Sequence, residues 1–197
     1  MAGNLTLVLA TRNGHKLREF GRLLAPGGVH VTELPEAVDL PPEDGDTFEA
    51  NALPKARAAA AATGRAAIGD DSGIEAAALG GRPGVRSARF AGVGASDEEN
   101  LEKLLGLAPS GSPLRYVCVL AYVDPEAGIE RVFHGECRGR LAGAPAGDGG
   151  FGYDPAFLPD GEHGGRTMAQ LTDVEKDAIS HRGLAVRELL RWLVPRG

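Results

Sequence analysis

The chain has 197 residues, of which 43% are hydrophobic and 24% charged, and its formal net charge is −6. A chain of this size can bury a substantial core, and we expect residues 1–197 to form a single domain. The acidic balance argues against a general nucleic-acid-binding or membrane-binding protein, because both activities require a basic surface.

The apolar runs and the cysteine content indicate the cellular compartment of the protein. Runs such as residues 117–123 are too short for a transmembrane helix, and the N-terminal residues lack the basic flank and apolar stretch of a signal peptide. The two cysteines, Cys118 and Cys137, are too few for a disulfide framework or a cysteine zinc site. These features predict a cytoplasmic protein.

A polar turn separates the first predicted strand from the first predicted helix. Residues 5–10 are almost continuously apolar and predict a buried strand, and Leu17 and Phe20 follow at helical spacing. Asn13 is a candidate N-cap, which would leave backbone N–H groups facing the turn. Residues 11–16 also supply cations and a hydroxyl, the chemistry of a phosphate site. An ordinary capped helix start is the alternative.

The next segment combines an acidic loop with an alanine-rich helix. Residues 38–46 are rich in proline and acidic side chains, and Thr47 begins a predicted helix that runs to about residue 63 and ends at Gly64. Charged loops of this kind are usually solvated. Glu43 is a candidate metal ligand only if the fold brings it to the carboxylates described next.

Two adjacent carboxylates end a short apolar run at residues 66–73. Asp70 and Asp71 repel one another unless a cation, hydrogen-bond donors or water compensate. Strand side chains alternate between faces, so one carboxylate could hold a metal or a water while the other braces the loop. Asp, Ser and Gly also favour turns, so a solvated turn is the alternative.

Two later segments carry side chains suited to a purine base. A glycine-rich loop at residues 147–152 leads into Phe-Gly-Tyr-Asp, where an aromatic ring can stack on a base and Asp154 can accept hydrogen bonds. Tyr153 is equally consistent with a core anchor. His181 and Arg182 precede the final predicted helix, and donors aimed at a 6-keto oxygen would disfavour adenine. A salt bridge or a helix cap is the ordinary alternative for them.

Taken in order, these segments resemble one known family. The matching blocks are Thr-x-Asn-x-x-Lys at 11–16, Asp-Asp-Ser-Gly at 70–73, Leu-Gly-Gly-Arg-Pro-Gly-Val at 79–85, Ser-Ala-Arg-Phe-Ala-Gly at 87–92, Gly-Gly-Phe-Gly-Tyr-Asp-Pro at 149–155 and Ala-Ile-Ser-His-Arg-Gly at 178–183. They resemble the inosine triphosphate pyrophosphatase family, also called Ham1-like or RdgB-like. The resemblance covers residues 5–192, and the ordered set of blocks is far more specific than any one of them.

The resemblance implies an α/β fold of two lobes around a long mixed sheet, with flanking helices and a central active-site cleft. It implies hydrolysis of ITP, dITP or XTP to the monophosphate and pyrophosphate. It also implies a magnesium requirement and a homodimer, with a nucleoside triphosphate as the substrate and neither nucleic acid nor membrane as a partner.

The same resemblance implies roles for individual residues. Asp71 would be the principal metal ligand and would accept the proton of the attacking water, with Asp70 and Glu43 as supporting metal ligands. Lys16 and Lys176 would be phosphate cations. The substrate-binding set that the motifs imply is Thr11, Arg12, Asn13, Gly14, His15, Lys16, Ser72, Phe151, Gly152, Tyr153, Asp154, Lys176, His181 and Arg182.

Three positions depart from the family pattern. Ala50 stands where the family usually has an acid, because Glu49 comes one position early, and Ala77 and Arg86 replace a common Asp and a common Tyr. Because the carboxylate pair, the Phe-Gly-Tyr-Asp loop and the Ser-His-Arg-Gly block are intact, we expect activity to survive these departures.

Two other functions fit parts of the pattern. A Maf-like pyrophosphatase would share the architecture and act on pyrimidine or modified nucleotides. A nucleotide sensor would bind phosphates without turnover. The acidic cluster favours the enzymes, because a phosphate binder gains nothing from carboxylates unless a metal bridges them.

Overall fold

The computed structural model describes residues 5–193, which form an α/β structure with one six-stranded sheet. The strands are β1 (Leu5–Leu9), β2 (Val29–Glu33), β3 (Ala67–Ala76), β4 (Pro113–Asp124), β5 (Ile129–Leu141) and β6 (Phe157–Pro159). The helices are α1 (Gly14–Leu24), α2 (Phe48–Thr63), α3 (Asp97–Leu107), α4 (Asp173–Ile179) and α5 (His181–Leu193).

The sheet is mixed, with the order β2-β1-β3-β4-β5-β6. Strand β1 pairs in parallel with β2 and with β3, and β5 pairs antiparallel with β6. The predicted α/β class and mixed sheet are therefore confirmed. Within the described residues, no helix combines the length and apolar character needed to cross a bilayer.

The described chain divides into two compact units, each of which has its own core. Residues 5–71, 118–135 and 182–193 form the first unit. Its core joins the apolar faces of β1, α1 and α5. The largest of its fully buried side chains are Leu7, Leu9, Phe20, Leu24, Ile68, Leu120 and Leu189. This core fixes the C-terminal end of β1, from which the turn that leads into α1 leaves.

Residues 72–117 and 136–181 form the second unit. Its core is built on α3, β6 and the nearby strand segments. The largest of its fully buried side chains are Ile74, Leu104, Leu141, Phe157 and Met168. The glycine-rich loop and α4 also belong to this unit, so its core supports the predicted base-binding residues.

Side-chain caps define the helix ends that the sequence predicted. Thr47 accepts a hydrogen bond from the backbone N–H of Ala50, and Gly64 ends α2 in the left-handed conformation, with φ +64°. Ser96 and Thr172 each form a capping box with a glutamate three residues later. These interactions place α3 and α4 from local sequence alone.

Two element boundaries differ from the sequence-based prediction. The Asp70–Asp71 pair lies in the middle of β3 rather than after a strand, and both side chains are buried. The alternative of a solvated turn is therefore wrong. His181 and Arg182 form the first turn of α5 instead of preceding it.

Candidate active site

The turn after β1 is organised by Asn13. Its side-chain oxygen accepts hydrogen bonds from the backbone N–H groups of His15 (2.8 Å) and Lys16 (3.2 Å), which confirms it as the N-cap of α1. The hydroxyl of Thr11 accepts one from the N–H of Asn13 at 3.1 Å. Gly14 is the first residue of α1 and leaves the helix start uncrowded. The turn thus has a defined shape before any ligand binds.

Arg12 is used differently from its neighbours in the turn. Its guanidinium donates to the carbonyl oxygens of Leu34 (2.7 Å), Pro35 (2.8 Å) and Val38 (2.9 Å). These bonds attach the turn to the loop that follows β2. The observed contacts are structural, and a direct contact of Arg12 with a phosphate stays a prediction.

Asp70 lies among cations of the first unit. Its Oδ2 atom is 2.9 Å from Nζ of Lys16 and 3.8 Å from Nε of Arg182. Arg182 also donates to Glu19, with 2.9 Å between Nη1 and Oε2. Burial alone would raise the pKa of Asp70, but the attraction of Lys16 and Arg182 outweighs it and holds this pKa well below the usual range. Asp70 is therefore a permanent anion that orients two cations.

Asp71 lies on the other face of the strand and has a different environment. Nδ2 of Asn51, on α2, donates to Oδ2 of Asp71 at 2.8 Å. The Oδ1 atom of Asn51 accepts from the backbone N–H of Gly45 at 2.8 Å, which ties the acidic loop to the same amide. Burial raises the pKa of Asp71 to about 6, against the opposing effects of Lys55 and the Asn51 hydrogen bond. A carboxylate with this pKa can exchange a proton near neutral pH.

Lys55 connects the acidic loop to the carboxylate strand. Its Nζ atom donates to Oε1 of Glu43 and to the backbone carbonyl of Asp70. Burial opposes its charge, but the nearby carboxylates of Asp70, Glu43 and Asp71 raise its pKa above the usual value. Lys55 therefore stays charged, and it links the Glu43 carboxylate to the backbone of Asp70. A role of Glu43 as a metal ligand stays a prediction.

Asp154, a predicted base-binding residue, is held by three donors of the second unit, and one of them is Lys176, which the resemblance assigns to phosphate. Its Oδ2 atom accepts from Nζ of Lys176 (2.8 Å) and from the backbone N–H of Phe151 (3.1 Å), and its Oδ1 atom accepts from the hydroxyl of Tyr116 (3.0 Å). Nζ of Lys176 also lies 5.4 Å from the centre of the Phe151 ring. Lys176 is thus part of this cluster through Asp154.

The two aromatic residues of the Phe-Gly-Tyr-Asp loop have different surroundings. Tyr153 is buried, and its hydroxyl donates to the carbonyl of Ser87 at 2.8 Å, so the structure favours the core-anchor interpretation. Phe151 is half-buried and is therefore more accessible than Tyr153. Between them, the N–H of Gly152 donates to Asp97 at 2.8 Å.

His181 stacks on an aromatic ring in the second unit. Its imidazole lies 4.6 Å from the ring centre of Tyr116, and the two planes differ by 6°. Both side chains are buried. His15 has an exposed position on α1, where Nδ1 contacts Arg18 at 3.0 Å. Ser72 is half-buried in β3, one residue beyond Asp71.

The comparisons with known proteins agree with this arrangement. The model of the Ham1 family matches residues 7–192. The chain belongs to the Ham1 family. It is 50% identical to the dITP/XTP pyrophosphatase of Frankia alni, with 96% of this chain and 97% of that protein covered. It is also 50% identical to the dITP/XTP pyrophosphatase of Symbiobacterium thermophilum, with 95% and 94% covered.

Solved structures of Ham1 proteins have the same fold. A HAM1 protein from Coxiella burnetii superposes with a TM-score of 0.84 at 40% identity, covering 96% of this chain and 98% of that one. The Ham1 protein of Staphylococcus aureus gives a TM-score of 0.80 at 38% identity, covering 95% and 97%. The three departures from the Ham1 pattern, at Ala50, Ala77 and Arg86, all lie at exposed positions.

Sequence reasoning missed three residues of the first unit that contact the predicted site. Asn51 holds Asp71, Lys55 holds Glu43, and Glu19 pairs with Arg182. Asn51 and Lys55 are polar residues on the buried face of an otherwise alanine-rich helix, a pattern that could have identified them. Glu19 is 163 residues from Arg182 in the chain, and no local signal connects them.

Proposed function

We propose that this Ham1-family protein hydrolyses the triphosphates of deaminated purines, namely ITP, dITP and XTP, to the nucleoside monophosphate and pyrophosphate. The observation that carries the proposal is the 50% identity, over nearly the full length, to proteins named dITP/XTP pyrophosphatase. The separate acidic and aromatic clusters support it, because they match the needs of phosphate chemistry and of base recognition respectively.

We infer that Asp71 and Glu43 would hold a magnesium ion. Carboxylate oxygens are the hard ligands that magnesium prefers, and the ion commonly uses one or two of them together with substrate phosphates. Over residues 5–193, no group of three or more His, Cys, Asp and Glu side chains is placed to hold a metal, so the full set of Asp71, Asp70 and Glu43 stays a prediction. When bound, magnesium supplies charge neutralisation and acidifies water. Asp70 as a further ligand stays a prediction, since its described contacts are with cations. Glu43 is paired with Lys55 in the same way and would exchange that contact for the ion.

In the proposed reaction, Asp71 orients a water molecule and takes its proton. The water oxygen bonds to the α-phosphorus, the bond to the α–β bridging oxygen breaks, and pyrophosphate leaves with the electron pair. Asn51 restrains the carboxylate so that it faces the water. Lys16 supplies positive charge to the phosphates, and Asp70 fixes the position of its ammonium group. Ser72 would donate a hydrogen bond to a phosphate.

In the same proposal, Phe151 stacks on the base and Asp154 accepts a hydrogen bond from it. Lys176, whose ammonium is paired with Asp154, contributes through that carboxylate as well as by its charge. His181 donates toward the 6-keto oxygen. Arg182 as a second donor to the base stays a prediction, because its described contacts are with Glu19 and Asp70 in the first unit.

Pyrophosphate release tests the function directly. We expect rapid release from ITP and XTP, slow release from ATP, GTP and CTP, and loss of the activity when EDTA removes divalent ions. Preference for CTP or UTP would favour a Maf-like enzyme, and binding of ITP without any product would favour a sensor. Asp71→Asn should lower kcat by about 10²- to 10⁴-fold, the usual contribution of a general base.

We also propose that the protein is a homodimer, which rests on the family resemblance alone, and that it is cytoplasmic, which rests on its low cysteine content. Light scattering coupled to size-exclusion chromatography measures the assembly. A mass near 20.4 kDa, the mass of one chain, would contradict the homodimer.

A further inference from the structure

Tyr116 contacts two of the predicted base-binding residues of the second unit. It lies in β4 with 6% of its surface exposed, and its ring is packed against Phe157, with 4.6 Å between the ring centres. In the sequence it directly precedes the apolar run of residues 117–123. In the structure its hydroxyl reaches Asp154 and its ring faces His181.

The hydroxyl of Tyr116 completes the set of donors around Asp154. Oδ2 accepts from Lys176 and from the N–H of Phe151, whereas the described donor to Oδ1 is Tyr116. A carboxylate has about four acceptor positions, so three donors leave room for one more partner. Because both oxygens are held, the carboxylate plane cannot rotate, and the remaining acceptor position has a fixed direction.

The ring of Tyr116 restrains the side chain of His181. The two rings are parallel within 6° and 4.6 Å apart, so rotation of the imidazole would break a packed aromatic contact. Tyr116 thus holds Asp154, the proposed acceptor, through its hydroxyl, and His181, the proposed donor, through the face of its ring.

We propose that Tyr116 is a positioning residue for base selectivity, which it exerts by fixing Asp154 and His181. This inference rests on the proposed function, in which those two residues contact the base. A 6-oxopurine has an N1–H group that can donate a hydrogen bond to a fixed carboxylate, whereas N1 of adenine carries no hydrogen. Loss of the hydroxyl should therefore affect 6-oxopurine nucleotides more than adenine nucleotides.

Tyr116→Phe tests the hydroxyl alone, because the ring and its stacking on His181 remain. We expect kcat/KM for ITP to fall roughly fivefold, the size of effect expected from the net contribution of one hydrogen bond, and mainly through KM. The value of kcat/KM for ATP should change by less than about twofold, so the ratio of kcat/KM for ITP to kcat/KM for ATP falls. Tyr116→Leu also removes the stacking and should narrow the ratio further.

Tyr122→Phe is the matched control. Tyr122 lies on the same strand, and its hydroxyl also contacts an aspartate, Asp124, at 3.2 Å, but in the first unit. We expect this variant to keep the wild-type ratio. Thermal unfolding of all the variants identifies a loss of folded protein. Such a loss lowers the apparent kcat/KM for ITP and ATP in proportion, whereas a change in selectivity alters their ratio.

Calorimetric binding of IMP and AMP gives the same comparison without turnover. A wild-type preference for inosine nucleotides that Tyr116→Phe leaves unchanged would overturn the inference and leave the proposed function standing. Equal losses for both bases in Tyr116→Phe would assign Tyr116 a purely structural role. A wild-type protein with no preference in either assay would overturn the proposed function and the inference together.

Discussion

The buried carboxylate of Asp71 should make the protein less stable at neutral pH than it would be with a neutral side chain. Asp71 is 4% exposed, and burial raises its pKa from the ordinary 3.8 to about 6. The ionised form is therefore disfavoured in the folded protein relative to the unfolded chain. We expect Asp71→Asn, which keeps the shape and removes the charge, to raise the free energy of unfolding in the absence of metal.

The size and the pH dependence of the effect follow from the two pKa values. One pKa unit corresponds to about 1.4 kcal/mol, so a change from 3.8 to about 6 costs the wild-type protein at most roughly 3 kcal/mol at pH 7.5. A carboxyl group with a raised pKa stabilises the folded state below pH 4 and loses that contribution as the pH rises through 6. About half of the destabilisation expected at pH 7.5 should remain at pH 5. The amide has its own cost of burial, so we expect a gain of about 1–2 kcal/mol at pH 7.5.

Urea unfolding in EDTA at pH 7.5 and pH 5.0 measures both quantities. Asp44→Asn is the control, because Asp44 belongs to the acidic loop and is exposed, so its replacement should change stability by less than about 0.5 kcal/mol. An Asp71→Asn protein that is less stable than the wild type at pH 7.5 would refute the reasoning. So would a gain that is equal at the two pH values.

Two further variants test the described contacts. Arg182→Met should lower the free energy of unfolding by about 3 kcal/mol in urea, because Glu19 and Asp70 would each lose a buried cation; an unchanged stability would show that the pairing is dispensable. Gly150→Ala should reduce kcat/KM for ITP by about tenfold or more, because Gly150 has φ +71° and its added methyl group would overlap Oδ2 of Asp154. Gly161→Ala, at φ +86° with open space around it, is the control, and equal losses in the two variants would point to backbone strain alone.

Local features of the fold could be predicted from the sequence because their causes lie within a few residues. Asn13 caps α1, and Thr47 and Gly64 bound α2, as the sequence indicated. Each depends on a side chain that reaches a backbone N–H two or three residues away, or on a glycine that accepts positive φ. The family resemblance added the α/β class and the mixed sheet.

The partners of the site residues could not be predicted in this way. Asn51 and Asp71 are separated by 20 residues, and Glu19 and Arg182 by 163. Which of them meet depends on the order of strands in the sheet and on the side on which α2 packs, and neither leaves a local pattern. The same limit explains the boundary of β3. The residue types around the two carboxylates favour a turn, and their partners in the fold are too distant in sequence to leave a local signal.

Adjacent carboxylates in one strand acquire opposite properties because the strand directs them to opposite faces. On one face, Lys16 and Arg182 hold the pKa of Asp70 well below its ordinary range. On the other, burial raises the pKa of Asp71 to about 6 despite the nearby charge of Lys55. Two acids with pKa values driven apart are suited to different tasks, one as a fixed anion and one as a proton acceptor. Asp70→Asn should therefore remove the ion pair that holds the Lys16 ammonium in place and raise KM for ITP. Asp71→Asn should instead lower kcat. Steady-state kinetics on the two variants separates these outcomes, and identical losses in both would show that the carboxylates act as one unit.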